Sequence, residues 1–328
     1  MYVDISQIKR RILLSVILIL CLGFIFPVHC SETCQSIRVT SSGILRYSAI
    51  GMNVLYESNL WHPDLWTLLS KAKVRIIRFW DDWLPPSYDR WKSLADEAHA
   101  HGVKVMFVIT GDGRPEADNL TLLKARIDGF EIEKLQNNLG VWGYDICNEP
   151  SDQQIDSLIP QQAALYVKEK DPTHLTTIGL RAPYQGLPED WQTGISKVAD
   201  YIDVVQVHTY RIADFIEGKN LTKIFGDFFD DIVIPASDGK PVILGECGCW
   251  TETGVDFKVT ATFSEDDQVR YFSEVYNACK ARNIVMFPWK LVDNVAEDDE
   301  IKCHYGWYRK EIVDGMNIAK KVVNYFSS

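Results

Sequence analysis

The chain reads Val141-Trp-Gly-Tyr-Asp-Ile-Cys-Asn-Glu-Pro150 near the middle of its 328 residues. The segment Val141–Cys147 is mostly apolar, it does not alternate with polar residues, and polar loop residues follow it at once. A run of this kind is typical of a strand that is buried on both faces of a parallel sheet. The same pattern recurs on both sides of this stretch.

The other apolar runs predict seven more strands, which makes eight in all. They lie at Ala49–Val54, Val74–Trp80, Val103–Thr110, Leu175–Leu180, Asp203–His208, Pro241–Gly245 and Ile284–Trp289.

Helical patterns occupy the segments between these runs. They lie at Asp64–Lys71, Tyr88–His101, Leu120–Leu139, Gln161–Lys170, Gly194–Tyr201, Leu221–Ile232, Ser264–Arg282 and Lys310–Phe326. Strands that alternate with helices in this way predict an α/β fold, a (β/α)8 TIM barrel forming a single domain. An open doubly wound sheet is the alternative, but no glycine-rich phosphate loop follows the first predicted strand.

The composition is that of a globular protein with a large core, 46% hydrophobic and 24% charged. The formal net charge of -11 disfavours a nucleic acid or an anionic membrane surface as partner, because both would repel an acidic protein. A neutral substrate is the easier fit.

The N-terminus has the pattern of a secretory signal. The basic residues Lys9, Arg10 and Arg11 precede the apolar run Ile12–Phe26, and Pro27 ends it. The run is shorter than the roughly 20 residues that a spanning helix needs. We expect a signal peptide at residues 1–30 and a secreted domain at 31–328; retention of the segment as a membrane anchor is the alternative.

Export allows disulfides, and the chain has eight cysteines. Their spacing matches no zinc motif. Cys249 and Cys303 follow strands and are placed to bridge across the barrel mouth, with free buried thiols as the equal alternative.

The sequences Asn119-Leu-Thr and Asn220-Leu-Thr are glycosylation acceptors if the host glycosylates.

Polar side chains stand where five of the predicted strands meet their loops, the edge at which α/β barrels carry their chemistry. Two of these ends are Asn148-Glu149-Pro150 and Gly245-Glu246. Hydrolysis of a glycosidic bond needs such a pair of carboxyls, one to give a proton and one to meet the developing oxocarbenium ion. The other ends read Arg78-Phe-Trp80, His208-Thr-Tyr210 and Pro288-Trp289.

In motif and strand number the chain resembles the cellulase and mannanase group called glycoside hydrolase family 5, a family of retaining (β/α)8 glycosidases. That family carries Asn-Glu at the end of its fourth strand and a second Glu at the end of its seventh, where Glu149 and Glu246 stand. The resemblance implies that Glu149 is the general acid/base and Glu246 the nucleophile. Glu149 must then be protonated, and we expect the neighbouring charge to raise its pKa.

The resemblance also implies supporting roles. They are hydrogen bonds to the nucleophile from Arg78 and Tyr210, contact of Asn148 with the sugar 2-hydroxyl, orientation of the site by His208 and an aromatic platform formed by Trp289. The alternatives are an ion pair of Arg78 with Asp81 or Asp82, a buried structural His208 and a core position for Trp289. The chain departs from many of these cellulases at the end of the third strand, where it has Ile109-Thr110-Gly111-Asp112 and no histidine.

Aromatic side chains are also expected to line the cleft, because sugar rings stack on aromatic planes. The tryptophans that follow strand ends, and are therefore candidates, are Trp80, Trp83, Trp250 and Trp307. Trp61 and Trp66 are expected to anchor the first helix instead. The acidic segment Asp293–Glu300 either borders the cleft or is a solvated loop.

These observations predict a secreted, monomeric, retaining β-glycoside hydrolase that acts on a β-linked glucan or mannan. With no metal cluster, redox motif or nucleotide loop in the sequence, we expect hydrolysis without a cofactor or a metal. The alternatives are a transglycosylase that uses the same residues and a catalytically silent carbohydrate-binding barrel.

Overall fold

The computed structural model describes residues 50–55, 65–80, 84–111, 113–181, 188–256, 259–291, 305, 307–313 and 316–327. The predicted signal peptide and the acidic segment Asp293–Glu300 lie outside these residues. The segment Ile37–Tyr47, whose alternating pattern around Ser41-Ser42-Gly43 predicts a small hairpin, also lies outside them. Among the described helices, none has the length and apolar character that crossing a bilayer requires.

The core of the structure is a parallel sheet of eight strands whose spatial order follows the chain. The strands are β1 (Gly51–Leu55), β2 (Ile76–Trp80), β3 (Lys104–Val108), β4 (Val141–Asn148), β5 (Leu175–Arg181), β6 (Val205–His208), β7 (Val242–Cys247) and β10 (Val285–Pro288). A parallel bridge between Ile50 and Met286 joins the first strand to the last. The predicted (β/α)8 barrel is therefore confirmed, and the open doubly wound sheet was the wrong alternative.

Helices cover the outside of the barrel. They are α1 (Leu65–Lys71), α2 (Tyr88–Ala100), α3 (Leu120–Gly129), α4 (Asp152–Asp156), α5 (Ile159–Lys170), α6 (Pro188–Ala199), α7 (Ile212–Ile216), α8 (Leu221–Phe228), α9 (Ile234–Ala236), α10 (Glu265–Lys280) and α11 (Lys321–Ser327).

Side-chain caps explain where several of these helices begin. Ser264 opens α10 with a capping box closed by Asp267, which satisfies backbone N–H groups that have no partner within the helix. The side chains of Asn119 and Asn220 cap α3 and α8 by accepting hydrogen bonds from backbone N–H groups in the first turn of each helix. Both asparagines of the predicted glycosylation sequons are therefore exposed helix caps.

Successive residues along a strand face the helices and the barrel interior in turn. On β3, Val105 and Phe107 belong to the apolar layer shared with the helices, whereas Met106 and Val108 lie outside that layer. This alternation is what closing a parallel sheet requires. Trp91 of α2 stacks on Phe107, with ring centroids 4.2 Å apart, so large aromatic rings fill the space between helix and strand.

Two predicted helices end earlier than the apolar pattern indicated. The predicted helix Leu120–Leu139 stops at Gly129, Glu131 has a left-handed φ of 48°, and a 3-10 turn follows at Ile132–Leu135. Ile132 and Leu135 are buried in that turn, so the apolar spacing continued through a break in the helix. The predicted helix Leu221–Ile232 ends as α8 at Phe228 and continues as a π-helical segment, Phe229–Val233.

The closing helix predicted at Lys310–Phe326 was wrong over most of its length. An antiparallel hairpin, β11 (Tyr308–Val313) with β12 (Met316–Ala319), precedes α11. A second hairpin, β8 (Glu252–Asp256) with β9 (Val259–Phe263), follows β7 and was not predicted.

Cys147, Cys247, Cys249 and Cys279 are buried and are not in disulfides. Burial raises the pKa of the Cys247 thiol well above its usual range, so this neighbour of Glu246 is neutral. Cys249 is not in a disulfide, as the second of the two alternatives expects. Cys303, the other proposed half of the bridge, lies outside the described residues.

Candidate active site

The two glutamates meet at the carboxyl ends of the barrel strands. Glu149 directly follows β4 with a positive φ of 51°, and its N–H donates to the carbonyl of Gly179 at 2.7 Å. Glu246 is a residue of β7 and aligns with His208 of β6 in the sheet register. One oxygen of each carboxyl and one ring nitrogen of His208 lie within 4.8 Å of one another. Two carboxyls far apart in sequence thus face the same small volume.

Glu246 is buried and receives a donor on each oxygen. Arg78 Nη1 donates to Oε1 at 2.8 Å and the Tyr210 hydroxyl donates to Oε2 at 2.8 Å. Burial raises the pKa of Tyr210, and the charges of Glu246 and Glu149 raise it further, so the phenol keeps its proton. Arg78, a buried cation, and the Tyr210 hydroxyl thus bind the two oxygens of Glu246, an arrangement suited to a carboxylate nucleophile.

Arg78 is fully buried and organises this side of the site. Its guanidinium donates from Nε and Nη2 to Asp145 Oδ2, from Nη1 to Asn53 and from Nη2 to Asn148 Oδ1. Burial lowers the pKa of Arg78, but the charges of Asp145 and Glu246 outweigh that effect and raise it, so Arg78 is always a cation.

Arg78 therefore has both of the roles considered from the sequence: it contacts the candidate nucleophile and it pairs with a structural carboxylate. That carboxylate is Asp145, which the sequence analysis did not single out; Asp81 and Asp82 lie outside the described residues. Asn53 was also missed. The available signal was a polar residue inside an apolar strand, at Asp145 in β4 and at Asn53 in β1.

Arg78→Met is expected to lower the free energy of unfolding by about 3–5 kcal/mol, because it leaves two buried carboxylates without their cation. Urea denaturation followed by circular dichroism measures this difference. Arg75→Met is the matched control, since Arg75 lies just before the same strand and is exposed; we expect a change of no more than about 0.5 kcal/mol there. Equal stabilities of the two variants would contradict the buried-pair interpretation.

Glu149 lies beside three cations or donors. Its side chain is 19% exposed, His208 Nδ1 lies 3.1 Å from Oε1, and Arg181 Nε lies 3.7 Å from Oε2. Burial raises the pKa of Glu149, but the hydrogen bond with His208 and the charges of Arg181 and Arg78 outweigh it, and the net direction is downward. The expected upward shift is therefore wrong for the free site, because the sequence did not show the surrounding cations.

Arg181→Met is expected to move the alkaline limb of kcat/KM to higher pH on substrates that need proton donation. Only protonated Glu149 donates, so kcat/KM falls as pH rises through its pKa, and removing a cation that lowers this pKa raises it. The measurement is a pH profile on an unactivated β-glycoside. Lys197→Met is the control, a similarly exposed lysine paired with Asp156, and should leave the limb in place. A limb that stays or moves to lower pH in Arg181→Met refutes the assignment.

Two of the predicted aromatic residues line this mouth. Trp80 and Trp289 are partly exposed and pack edge to face with ring centroids 5.6 Å apart. The Arg78 guanidinium lies 4.5 Å from the ring centroid of Trp80, which ties this aromatic pair to the carboxyl site.

The subsite role expected for Trp250 and Trp307 is wrong, because both side chains are fully buried. Trp66 is buried and donates to Glu97, in keeping with the expected anchoring of the first helix. Trp61 and Trp83 lie outside the described residues.

The backbone at the end of the third strand holds Asn148, the residue before Glu149, in place. The carbonyl of Thr110 accepts from the N–H of Asn148 at 2.8 Å, and Gly111 bridges to the same residue. Thr110 is buried, and its hydroxyl has no hydrogen-bond partner among the described residues. At the end of the third strand, where many of the cellulases that the chain resembles carry a histidine, this chain thus has a threonine whose backbone helps to hold Asn148 and Glu149.

Glu149, His208 and Glu246 have donor atoms close enough together to consider a metal ion. Arg78 already bonds Oε1 of Glu246, and its buried positive charge repels a cation. The arrangement suits a carboxyl pair held by hydrogen bonds better than a metal centre.

The model of one protein family, described as cellulase (glycosyl hydrolase family 5), matches residues 74–295. None of the curated proteins compared with the sequence matches it significantly.

Several solved structures share the fold. A β-glucuronidase from Ruminococcus gnavus in complex with D-glucuronic acid has a TM-score of 0.63 at 15% identity, over 85% of this chain and 48% of that one. The Bifidobacterium dentium β-glucuronidase complexed with coumarin-3-O-glucuronide has a TM-score of 0.63 at 16% identity, over 85% and 46%. The β-D-glucuronidase of Dictyoglomus thermophilum has a TM-score of 0.62 at 15% identity, over 85% and 50%. The chain spans about half the length of these proteins, and at this identity the likeness concerns the fold alone.

Proposed function

The chain belongs to the cellulase family, glycosyl hydrolase family 5, and from that premise we propose that it is a retaining β-glycoside hydrolase that cleaves a β-linked glucan or mannan by double displacement. The observation that carries the mechanism is the separation of the two carboxyls, which have oxygens within 4.8 Å of each other. Retaining glycosidases hold this pair about 5–5.5 Å apart, whereas inverting ones need about 6.5–9.5 Å to admit a water molecule.

In the first displacement Glu246 attacks the anomeric carbon while Glu149 gives its proton to the leaving oxygen. The C–O bond to the leaving group breaks, a C–O bond to the Glu246 carboxylate forms, and the leaving group departs as a neutral alcohol. The His208 ring at Nδ1 and the Arg181 guanidinium then stabilise the Glu149 carboxylate.

In the second displacement Glu149 acts as a base. It takes a proton from water, the water oxygen attacks the anomeric carbon, and Glu246 leaves as a carboxylate. Arg78 and the Tyr210 hydroxyl stabilise the charge that returns to Glu246, because they already donate to its two oxygens.

Asn148 is proposed to bind the sugar 2-hydroxyl through its amide nitrogen. Its Oδ1 accepts from Arg78 Nη2 at 2.6 Å, so Nδ2 is the atom left to donate to the substrate. A contact of this kind strengthens in the oxocarbenium-like transition state. Trp80 and Trp289 are proposed to face the sugar rings, since both are partly exposed beside the carboxyl pair.

Transglycosylation uses the same covalent intermediate with a sugar acceptor in place of water, so analysis of the products with and without added acceptor separates the two activities. A catalytically silent carbohydrate-binding barrel is less well supported than an enzyme, because both carboxyls and the donors to Glu246 are present. Secretion follows from the proposed signal at residues 1–30 and is tested by N-terminal sequencing of the protein recovered from culture medium.

The deciding experiment assays residues 31–328 on a panel of β-glucans, β-mannans and aryl β-glycosides, with an aryl β-glucuronide included. Nuclear magnetic resonance of the first product determines its anomeric configuration. We expect turnover of a glucan or a mannan with the β-configuration retained. An initial α-product would refute the mechanism, and preference for the glucuronide would refute the substrate class.

A further inference from the structure

We propose that Gln206 is a positioning residue that locks the proton of His208 on Nδ1, so that this ring always donates to Glu149 and never accepts from it. The inference rests on the proposed function for its catalytic consequence. Its structural basis is a chain of hydrogen bonds that runs from Asp145 through Gln206 and His208 to Glu149.

The chain begins at Asp145, which is fully buried and accepts two bonds from the Arg78 guanidinium. Asp145 is therefore a carboxylate and only accepts hydrogen bonds. The amide nitrogen of Gln206 lies 2.9 Å from Asp145 Oδ2. The opposite orientation of this amide would place its oxygen against a carboxylate oxygen, so the nitrogen faces Asp145.

The same nitrogen lies 2.8 Å from Nε2 of His208. An amide nitrogen has two protons and accepts none, so Nε2 of the ring must be the acceptor. The remaining ring proton is then on Nδ1, which lies 3.1 Å from Glu149 Oε1 and 3.5 Å from Glu246 Oε1. The tautomer of His208 follows from the charge of a residue that the ring does not touch.

The Gln206 amide fits between Asp145 and His208 because the two residues packed against it, Gly245 and Gly179, have no side chain. A Cβ at Gly245 would lie 2.6 Å from the Gln206 amide nitrogen, and one at Gly179 would lie 2.9 Å from it and 2.8 Å from His208 Cε1. Any larger residue at either position would displace the amide from between Asp145 and His208. The Oε1 of Gln206 is buried without a hydrogen-bond partner among the described residues, an unfavourable state that the two bonds from the amide nitrogen offset.

The locked tautomer determines which oxygen of Glu149 gives up its proton. Oε1 is committed as the acceptor from His208, so the catalytic proton lies on Oε2, the oxygen nearer Arg181. With the ring proton on Nε2 instead, the bare Nδ1 would accept the Glu149 proton and withhold it from the leaving group. Gln206 thereby acts on the acid through His208 without touching substrate.

The test reads the tautomer directly, by nuclear magnetic resonance of protein labelled with ¹⁵N-histidine. The His208 signals are assigned by their loss in His208→Gln. We expect a protonated Nδ1 and an unprotonated Nε2 in the unaltered protein, and protonation of Nε2 in part of the molecules of Gln206→Met. A proton on Nε2 in the unaltered protein would overturn the proposal even if the variant failed to fold.

The kinetic arm compares Gln206→Met with Gln161→Met. Gln161 is the matched control because it is equally buried, makes one amide bond to a backbone carbonyl and also has an Oε1 without a partner among the described residues. We expect Gln206→Met to lose about 10- to 100-fold in kcat/KM on unactivated substrates and less on activated aryl glycosides, and Gln161→Met to lose little on either. Equal losses in both variants would overturn the positioning role. If Glu246→Ala retained activity, the proposed function would fail while the tautomer measurement still decided this inference.

Discussion

Glu246→Ala is expected to lower kcat on every β-glycoside by about 10⁴-fold or more, because the covalent intermediate cannot form without the carboxylate. Binding should change much less, since Arg78, Tyr210 and Asn148 remain in place. Steady-state kinetics on the best polysaccharide and on its activated aryl glycoside measure the loss. Circular dichroism checks the fold, which Arg78 still supports through Asp145.

The control for this variant is Glu217→Ala, a solvent-exposed glutamate in an ion pair with Lys219, which should keep full activity. Two further results distinguish a nucleophile from a merely structural carboxylate. Added azide should restore turnover of activated glycosides in Glu246→Ala and yield the α-glycosyl azide. A 2-fluoro glycoside should label the unaltered enzyme on the peptide that contains Glu246. Undiminished turnover in Glu246→Ala, or a label on another peptide, would refute its role.

Glu149→Ala is expected to affect substrates unequally, which is the mark of a general acid. On polysaccharides we expect a loss of about 10²- to 10⁴-fold, because the leaving alkoxide needs a proton. On aryl glycosides with acidic phenols the first displacement should be nearly unaffected, since such groups leave without a proton. The alkaline limb of the pH profile should also disappear, as the group that causes it is gone.

A series of aryl glycosides with phenols of graded acidity measures this difference, and kcat/KM isolates the first displacement. We expect the loss in Glu149→Ala to grow steadily as the phenol becomes less acidic, while the unaltered enzyme shows a shallow dependence. A loss of the same size across the series would show that Glu149 positions the substrate and does not donate the proton.

The barrel was predictable from sequence because each strand is buried on both faces and therefore reads as a continuous apolar run. The run Val141–Cys147 became the strand Val141–Asn148, and the run Ile284–Trp289 became Val285–Pro288. The predicted secondary structure is wrong where the spacing of apolar residues fits a helix but the backbone does not form one. Ile132 and Leu135 keep helical spacing after the helix has ended, and Lys310–Phe326 contains a hairpin that helical spacing concealed.

The expected members of the site do come together in space, from Arg78 on the second strand to Trp289 after the last. The residues that were missed are those whose partners are remote in sequence. Asp145 and Gln206 are polar residues within strands, and nothing local distinguishes a core polar residue from one that connects a guanidinium to an imidazole. Trp250 and Trp307 follow strand ends as expected, yet both are buried, because position after a strand does not determine exposure.

By itself the sequence determined the order of the strands and the two ends that carry glutamates, since apolar runs and chain order are properties of the linear chain. Only the tertiary structure decided the distances, charges and protonation within the mouth of the barrel. The approach of Glu149 and Glu246 to within 4.8 Å depends on how strands four and seven close around a common axis. The lowered pKa of Glu149 and the tautomer of His208 depend on Arg181, Asp145 and Gln206, whose effects act through space over a few ångströms and leave no periodic trace in the chain.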